Sequence, residues 1–319
     1  MRSTRLGAVL VYTSFARPSA VAWLTHFVPY WNEGLLVVLP QGAPVLLAAF
    51  SRRMHDWIRS VSHVGEVQSV SQLGRAAADL IEGRLPAAAR VGVLELDALP
   101  WTVAEPLSSS GARLVDASAL FASIRQPADD VEVRLARRAA QIALDALASI
   151  PRGATRASEV LSAIEASARL NGAEEVLPRL APDLGAGAAL LRFEGDCALG
   201  ERYAVQLSLA YKSAWIRMTR SFSKGAPPRS WLQAQAWSSN WAELASETGA
   251  VAGPAPGDVA FRSVEACLGS APFSLVALGV SGRVPVPVGT LASLSLRLDL
   301  ADGPWLGGGP GVIGSGALA

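Results

Sequence analysis

The chain has 319 residues, 50% of them hydrophobic, enough to bury a full core and to build two domains. A net charge of +1 excludes electrostatic attraction to nucleic acid or to an anionic membrane surface. Two cysteines, Cys197 and Cys267, are too few for a disulfide framework and suit a reducing, cytoplasmic compartment. No apolar run approaches the ~20 residues of a membrane span. MRSTRLGAVLVYTSFA has the basic start of a signal peptide, but Tyr12, Thr13 and Ser14 interrupt its apolar run, so it reads as a first β-strand.

Residues 1–126 alternate apolar runs with helical segments. LGAVLVYT, EGLLVVLP, APVLLAAF and RVGVLEL read as strands bounded by Gly and Pro, and VSQLGRAAADLIEGRL carries helical periodicity. That alternation predicts an α/β layer. After Gln126–Pro127 a long helix is expected, capped by Asp129 or Asp130, with Val131, Leu135, Ala139, Ile142 and Ala146 as its apolar stripe. Pro151 and Gly153 end it. Thr155 is expected to cap a second helix, which stops at Asn171–Gly172. From Gly185 strands dominate. SWLQAQAWSSNWAELASETGA reads as a helix with Trp231, Trp237 and Trp241 as its large apolar groups, and the tail as two strands joined through Asp302–Gly303. There is no internal repeat.

The most informative stretch is YAVQLSLAYKSAWIRMTRSF, Tyr203 to Phe222. Two runs rich in Val, Leu, Ile, Trp and Tyr flank a polar middle, the signature of a β-hairpin. A turn at Tyr211–Lys212 sets Gln206 opposite Arg217, with Cβ atoms about 4.5–5.5 Å apart. This hairpin resembles the metal-binding hairpin of the creatinase, prolidase and aminopeptidase P family, the pita-bread metallohydrolases. The family pattern runs roughly V-D-x-G-x-x-Y-x-G-Y-x-x-D-x-T-R-T-F, both Asp residues holding metal. Val205, Tyr211, Thr219, Arg220 and Phe222 match without a gap, Gln206 falls on the first Asp and Arg217 on the second.

Elsewhere ARPSAVAWLTHF followed by GLLVVLPQGAPVLL resembles the family's N-terminal domain, and LVDASALFASIRQPADDVEVRLARRA its inter-domain passage. The resemblance implies an α/β creatinase-like N-terminal domain over 1–126 and an α+β, pita-bread-like C-terminal domain over 127–319, the latter short for the family. It also implies a dinuclear site of two Asp, one His and two Glu. The histidines are His26, His55 and His63, so none follows position 63. GTLASLSLR from Gly289 is the best match to the motif G-M-x-x-x-x-E-P-G and puts Ser295 at its Glu. No acid stands near Trp305–Gly308 for the last ligand. Two divalent cations need several hard anionic oxygens, so no metal and no other cofactor is expected. Creatinase works without metal through a His that maps near Arg192, and Arg does not shuttle protons at neutral pH.

Other constellations are weak. Glu194 and Asp196 read as solvated loop acids, Ser213 and Ser221 have no nearby His, and GPWLGGGPG lacks the Lys-Ser/Thr of a phosphate loop. Arg217 and Arg192 are candidate pocket residues that could receive an anionic small molecule or a peptide carboxylate. Alternatively Arg217 pairs internally with Asp196 or Asp299. In family dimers the N-terminal domain borders the partner's pocket, so His26, Tyr30, Trp31 and Asn32 either serve a partner's site or anchor their own domain. The expected function is a metal-free, non-peptidase homologue. It would be the silent subunit of a homodimer or of a heterodimer with a metal-competent homologue, or a binder of a peptide or small amide. The alternative is a metal-independent hydrolase of a small amide or amidine.

Overall fold

The structure is a computed structural model describing residues 5–29, 32–193, 195–239, 255–276 and 287–318. The chain forms two compact units, Met1–Arg125 with Cys267–Ser274, and Gln126–Ala266 with Leu275–Ala319. A single cut after residue 126 overlooks Cys267–Ser274. That segment joins the first unit through polar contacts that hydrophobic periodicity does not report. Ser19 N–H donates to the Ser270 carbonyl (3.0 Å), Ser270 N–H to Glu95 Oε1 (3.0 Å) and Arg125 Nη1 to the Gly269 carbonyl (3.4 Å).

The first unit contains strands β1 (Ala8–Thr13), β2 (Gly34–Val38), β3 (Val45–Ala48), β4 (Glu66–Ser69), β5 (Arg90–Val93) and β6 (Arg113–Asp116). They form one mixed sheet in the order β4-β3-β2-β1-β5-β6. Its helices are α1 (Ser19–Thr25), α2 (His55–Val61), α3 (Leu73–Arg84), α4 (Trp101–Ser109) and α5 (Ser118–Arg125). Alternate strand residues face opposite sides. Ala8, Leu10, Leu35, Val37, Val45 and Leu47 pack against Leu73, Ala77, Ile81, Val103 and Leu107 of α3 and α4. Val11, Leu36, Leu46 and Ala48 pack against Ala20, Val21, Ile58 and Phe121 of α1, α2 and α5. Burial on both faces is why these strands read as unbroken apolar runs. The edge strands β4, EVQS, and β6, RLVD, bury only part of their side chains and carry no such run.

The second unit begins with α6 (Asp130–Ala148) and α7 (Ala157–Leu170). Asp129 caps α6 in a reciprocal box, its Oδ1 accepting the Glu132 N–H at 2.8 Å while Glu132 Oε2 accepts the Asp129 N–H at 3.4 Å. Val131 is exposed, so the apolar stripe starts a turn later than expected, at Ala136, and runs through Ala139, Ile142, Ala143 and Ala146. Thr155 is not the cap of α7. Arg156 stands there, the Thr155 and Arg156 N–H groups both donate to Glu159 Oε2 (2.7 and 3.2 Å), and Asp196 Oδ1 accepts the Ser158 N–H at 3.0 Å.

Strands begin before Gly185, with β7 (Glu175–Ala181), whose Pro178 disguises it; β7 is an edge strand, where a missing N–H is tolerated. It pairs with β8 (Arg202–Tyr211), and β8 with β9 (Ala214–Ser223), in a three-stranded antiparallel sheet. Next come α8 (Arg229–Ser239), β10 (Asp258–Ala266), β11 (Ser274–Val276), β12 (Leu291–Leu300), β13 (Gly303–Gly307), β14 (Pro310–Val312) and β15 (Gly316–Ala317). A second sheet runs β11-β10-β12-β14-β15, with β13 also on β12. Trp231 is buried and Trp237 half-buried on α8; Trp241 and the expected continuation of that helix lie outside the described residues.

On β8, Tyr203, Val205, Leu207 and Leu209 join the core built on the Ala-rich faces of α6 and α7. Ala204, Gln206, Ser208 and Ala210 therefore face the other way. The hairpin turns at Lys212–Ser213, both left-handed with φ +46° and +63°, as a two-residue type I′ loop requires. The register is Gln206 opposite Thr219 and Ser208 opposite Arg217. Gln206 and Arg217 are thus not directly opposed. The expected turn lies one residue early, which shifts the register by two, preserves the face and leaves Gln206 and Arg217 as diagonal neighbours.

Candidate functional site

The face of β8 and β9 turned away from the helices carries Gln206, Ser208, Arg217 and Thr219. Arg217 does not point freely into a pocket. Its Nη1 is ion-paired with the Glu265 carboxylate on β10, its Nε donates to Ser208 Oγ at 2.9 Å, and its backbone N–H donates to Ser293 Oγ of β12 at 3.0 Å. The two charged side chains are only 16% and 15% exposed. Burial pushes the Arg217 guanidinium below its ordinary value, while the Glu265 charge holds it up and Arg179 adds a smaller like-charge push downward. The partner is therefore Glu265, not Asp196 or Asp299. Asp196 pairs with Arg156, and Asp299 with Arg297 at 3.0 Å. Glu265 went unnoticed because it is 48 residues further along and is brought near only by the meeting of β9 with β12, which pairs Ser293 with Glu265.

Beside this pair lies a cavity of about 260 Å³, bordered by Gln206, Thr219, Ser295, Leu190, Phe261, Leu306 and, at one side, Arg297. Gln206, Thr219 and Ser295 are all buried. Gln206 Nε2 donates to Thr219 Oγ1 at 3.3 Å. Ser295 Oγ is buried with no hydrogen-bond partner among the described residues. Two of the three positions where carboxylate ligands were sought, Gln206 and Ser295, thus meet at one cavity, and the third, Arg217, sits alongside it. Ser295 comes from the alternating ASLSLRL run, which puts Ser293 and Ser295 on one face of β12 opposite Glu265 and Ser263.

These side chains do not fit a pair of divalent cations. An amide and two hydroxyls supply neutral oxygens only, and a fixed guanidinium next to them repels cations. Among the described residues no three His, Cys, Asp or Glu side chains converge as ligands would.

The remaining candidates are scattered. Arg192 is exposed and does not border the cavity. His26 is the left-handed C-cap of α1, its N–H donating to the Ala22 carbonyl at 2.7 Å, and its ring lies 4.8 Å from that of His63. His55 Nε2 contacts Ser69 Oγ at 2.8 Å, and Asn32 Nδ2 donates to the Ala49 carbonyl at 3.2 Å. Tyr30 and Trp31 lie outside the described residues, as does Glu194. The Gly-rich tail is structural: Gly308 has φ +131°, and a Cβ there would come within 2.1 Å of the Leu294 carbonyl oxygen. That close approach lets the Gly308 carbonyl accept the Thr219 N–H at 3.0 Å and seats the cavity wall.

Residues 1–126 match the creatinase/prolidase N-terminal domain family. Residues 1–126 are a creatinase/prolidase N-terminal domain. Over its whole length the chain is similar in fold to prolidase from Pyrococcus furiosus, with a TM-score of 0.74 at 13% identity, covering 99% of this chain and 96% of that one. X-Pro aminopeptidase from Thermotoga maritima gives 0.74 at 14%, covering 100% and 94%. Xaa-Pro dipeptidase from Bacillus anthracis gives 0.71 at 16%, covering 98% and 94%. No curated protein matches the sequence. The fold is thus the prolidase pita-bread fold behind a creatinase/prolidase N-terminal domain. No helix among the described residues is long and apolar enough to cross a membrane.

Proposed function

We propose that this chain is a metal-independent, non-peptidase relative of the prolidases that binds a small amide or peptide in its second unit, acting in the cytoplasm as part of a homo- or hetero-oligomer. One observation carries the reading. Gln206 and Ser295, at positions where the resemblance puts metal carboxylates, border one cavity, and the neighbouring Arg217 is already neutralised by Glu265. Metallopeptidase chemistry needs a cation to polarise the peptide carbonyl and to make hydroxide from water, and this donor set offers neither charge nor geometry for one.

A metal-free hydrolase is the less favoured reading. Ser295 and Thr219 offer hydroxyls, but a hydroxyl nucleophile needs an adjacent base, and His26, His55 and His63 all belong to the first unit. The free thiols of Cys197 and Cys267 suit a reducing compartment. The test is elemental analysis of the purified chain together with Xaa-Pro dipeptide assays in added Mn, Co and Zn. The expected outcome is substoichiometric metal and no turnover, before and after Gln206→Asp with Arg217→Asp, because that double variant still lacks His and both Glu. One metal per chain, or turnover by the double variant, overturns the proposal.

A further inference from the structure

The geometry points to a specific class of occupant for the Gln206–Ser295 cavity: a small, uncharged molecule presenting an amide, held by the Gln206 carboxamide and the Ser295 hydroxyl between apolar walls. This rests on the binding reading above and narrows it by charge and size.

Charge decides first. Three guanidinium groups lie near the cavity, and Arg179, opposite Gln206 on β7, is exposed and does not border it; the other two are committed. Arg217 is paired with Glu265, and Arg297, on the wall itself, binds Asp299 through Nε–Oδ1 at 3.0 Å and Nη2–Oδ2 at 3.4 Å. No carboxylate is among the described residues bordering the cavity. An ion of either sign would enter without a counter-charge, and burying an unpaired charge is strongly unfavourable. A neutral ligand avoids that cost.

The polar groups then set the chemistry. Gln206 makes one hydrogen bond among the described residues, from Nε2 to Thr219 Oγ1. Its Oε1 acceptor and one Nε2 hydrogen remain available, since a carboxamide offers one oxygen and two N–H donors. Ser295 Oγ, buried and without a partner among the described residues, brings both a donor and an acceptor. A buried hydroxyl left unpaired destabilises the protein that carries it, and a ligand that bonds it removes the penalty. An acceptor and a donor from one carboxamide, flanked by a hydroxyl, complement the C=O and N–H of an amide. Leu190, Phe261 and Leu306 leave the rest of the ligand apolar contact.

Size follows from the volume. About 260 Å³ is room for roughly eight or nine waters at ~30 Å³ each, which fits a capped amino-acid amide and not a long peptide.

The experiment uses the full chain and three probes of nearly one size: N-acetylglycinamide, which is neutral, N-acetylglycine, an anion, and glycylglycinamide, a cation, followed by saturation-transfer NMR and calorimetry. The neutral probe is expected to bind saturably at millimolar concentration or below, and each charged probe at least tenfold more weakly. Ser295→Ala should weaken the neutral probe by about tenfold, one hydrogen bond's worth, and raise the melting temperature of the free chain, because the orphan hydroxyl is gone. A merely structural serine would not move these two readouts in opposite directions. Ala188→Leu, which fills the cavity from its wall without touching its polar groups, should abolish binding in a folded chain. Equal or tighter binding of the anion or cation, no neutral binding at tens of millimolar, or unchanged binding by Ala188→Leu overturns the inference. Metal content and peptidase activity stay separate from all three outcomes, so a failure here is distinguishable from a failure of the metal-free reading.

Discussion

Removing one partner of the Arg217–Glu265 pair tests whether it acts as a fixed pin between the two sheets of the second unit. Arg217→Ala strands the Glu265 carboxylate and frees Ser208 Oγ. Losing one member of a buried ion pair costs about 3–5 kcal/mol, and the residual exposure of 16% and 15% places the expected loss near the lower bound, about 3 kcal/mol. Glu265→Gln should cost about the same, since it leaves a buried guanidinium without a counter-ion. Replacing both, Arg217→Met with Glu265→Leu, removes both desolvation penalties and should return to within about 1 kcal/mol of the wild type. Urea unfolding followed by tryptophan fluorescence reads this out. With m near 1–3 kcal/mol/M, each single variant should lower the midpoint by about 1–3 M at constant m. Sub-molar salt should change little, because buried pairs are poorly screened. Additive single and double effects, with no coupling energy across the cycle, would refute the pin.

Three further outcomes follow from other contacts. The Asp196 carboxyl is held down at about 2, against an ordinary 3.8, first by its hydrogen bond to Arg156 and then by the Ser158 N–H. Its stabilisation is therefore complete above about pH 4 and lost as pH falls toward 2, and Asp196→Asn should flatten the urea-midpoint profile in that window; identical profiles would dismiss the contact. Ser213→Gly at the left-handed turn should stabilise by roughly 0.5–1 kcal/mol, the ~1–2 kcal/mol cost of a left-handed residue less the extra freedom of unfolded Gly, and the Ser213 N–H to Glu174 Oε2 bond of 2.9 Å is kept. A lowered midpoint would mean that this turn is not under strain. Sedimentation at micromolar concentration should show association of the chain with itself or with a metal-competent homologue, driven in part by Trp57, 51% exposed on the first unit; a monomer in both cases would retire the oligomer.

Where apolar residues define an element the sequence was readable. β1, β2, β3 and β5 are visible because both of their faces are buried, and α6 because Ala136 to Leu147 recur on one side of it. Val131 has the right character for that stripe but precedes the packed face, and only the packing itself reveals this. Polar devices were harder. Nothing in EVQS marks β4, and Pro178 argues against β7 although an edge position accommodates it. The hairpin register illustrates the limit best. A two-residue type I′ turn normally announces itself with Asn-Gly or Asp-Gly; here Lys212–Ser213 takes that conformation without the signal, so the expected turn falls one residue early and the register shifts by two. The period of two kept Gln206 and Arg217 on the correct face while their partners were wrong. Glu265 was invisible because its role depends on which sheet edge approaches β9.

On the proposed metal-free reading, the same contacts would hold the second unit together without bound cations. Carboxylates gathered in a pocket repel one another unless cations compensate, so losing the metal alone would leave an unstable site. Gln206 and Ser295 bring hydrogen-bonding capacity without charge. Arg217 brings a positive charge, and Glu265 forms with it a pair whose net charge is zero. The sheets are joined by Arg217 through Ser208, Ser293 and Glu265, and beside them lies a cavity where the Ser295 hydroxyl has no partner among the described residues. An unsatisfied hydroxyl is a cost that a purely structural site would shed through a single Ser295→Ala change, and its presence beside the Gln206 carboxamide is the physical reason to look for a ligand there.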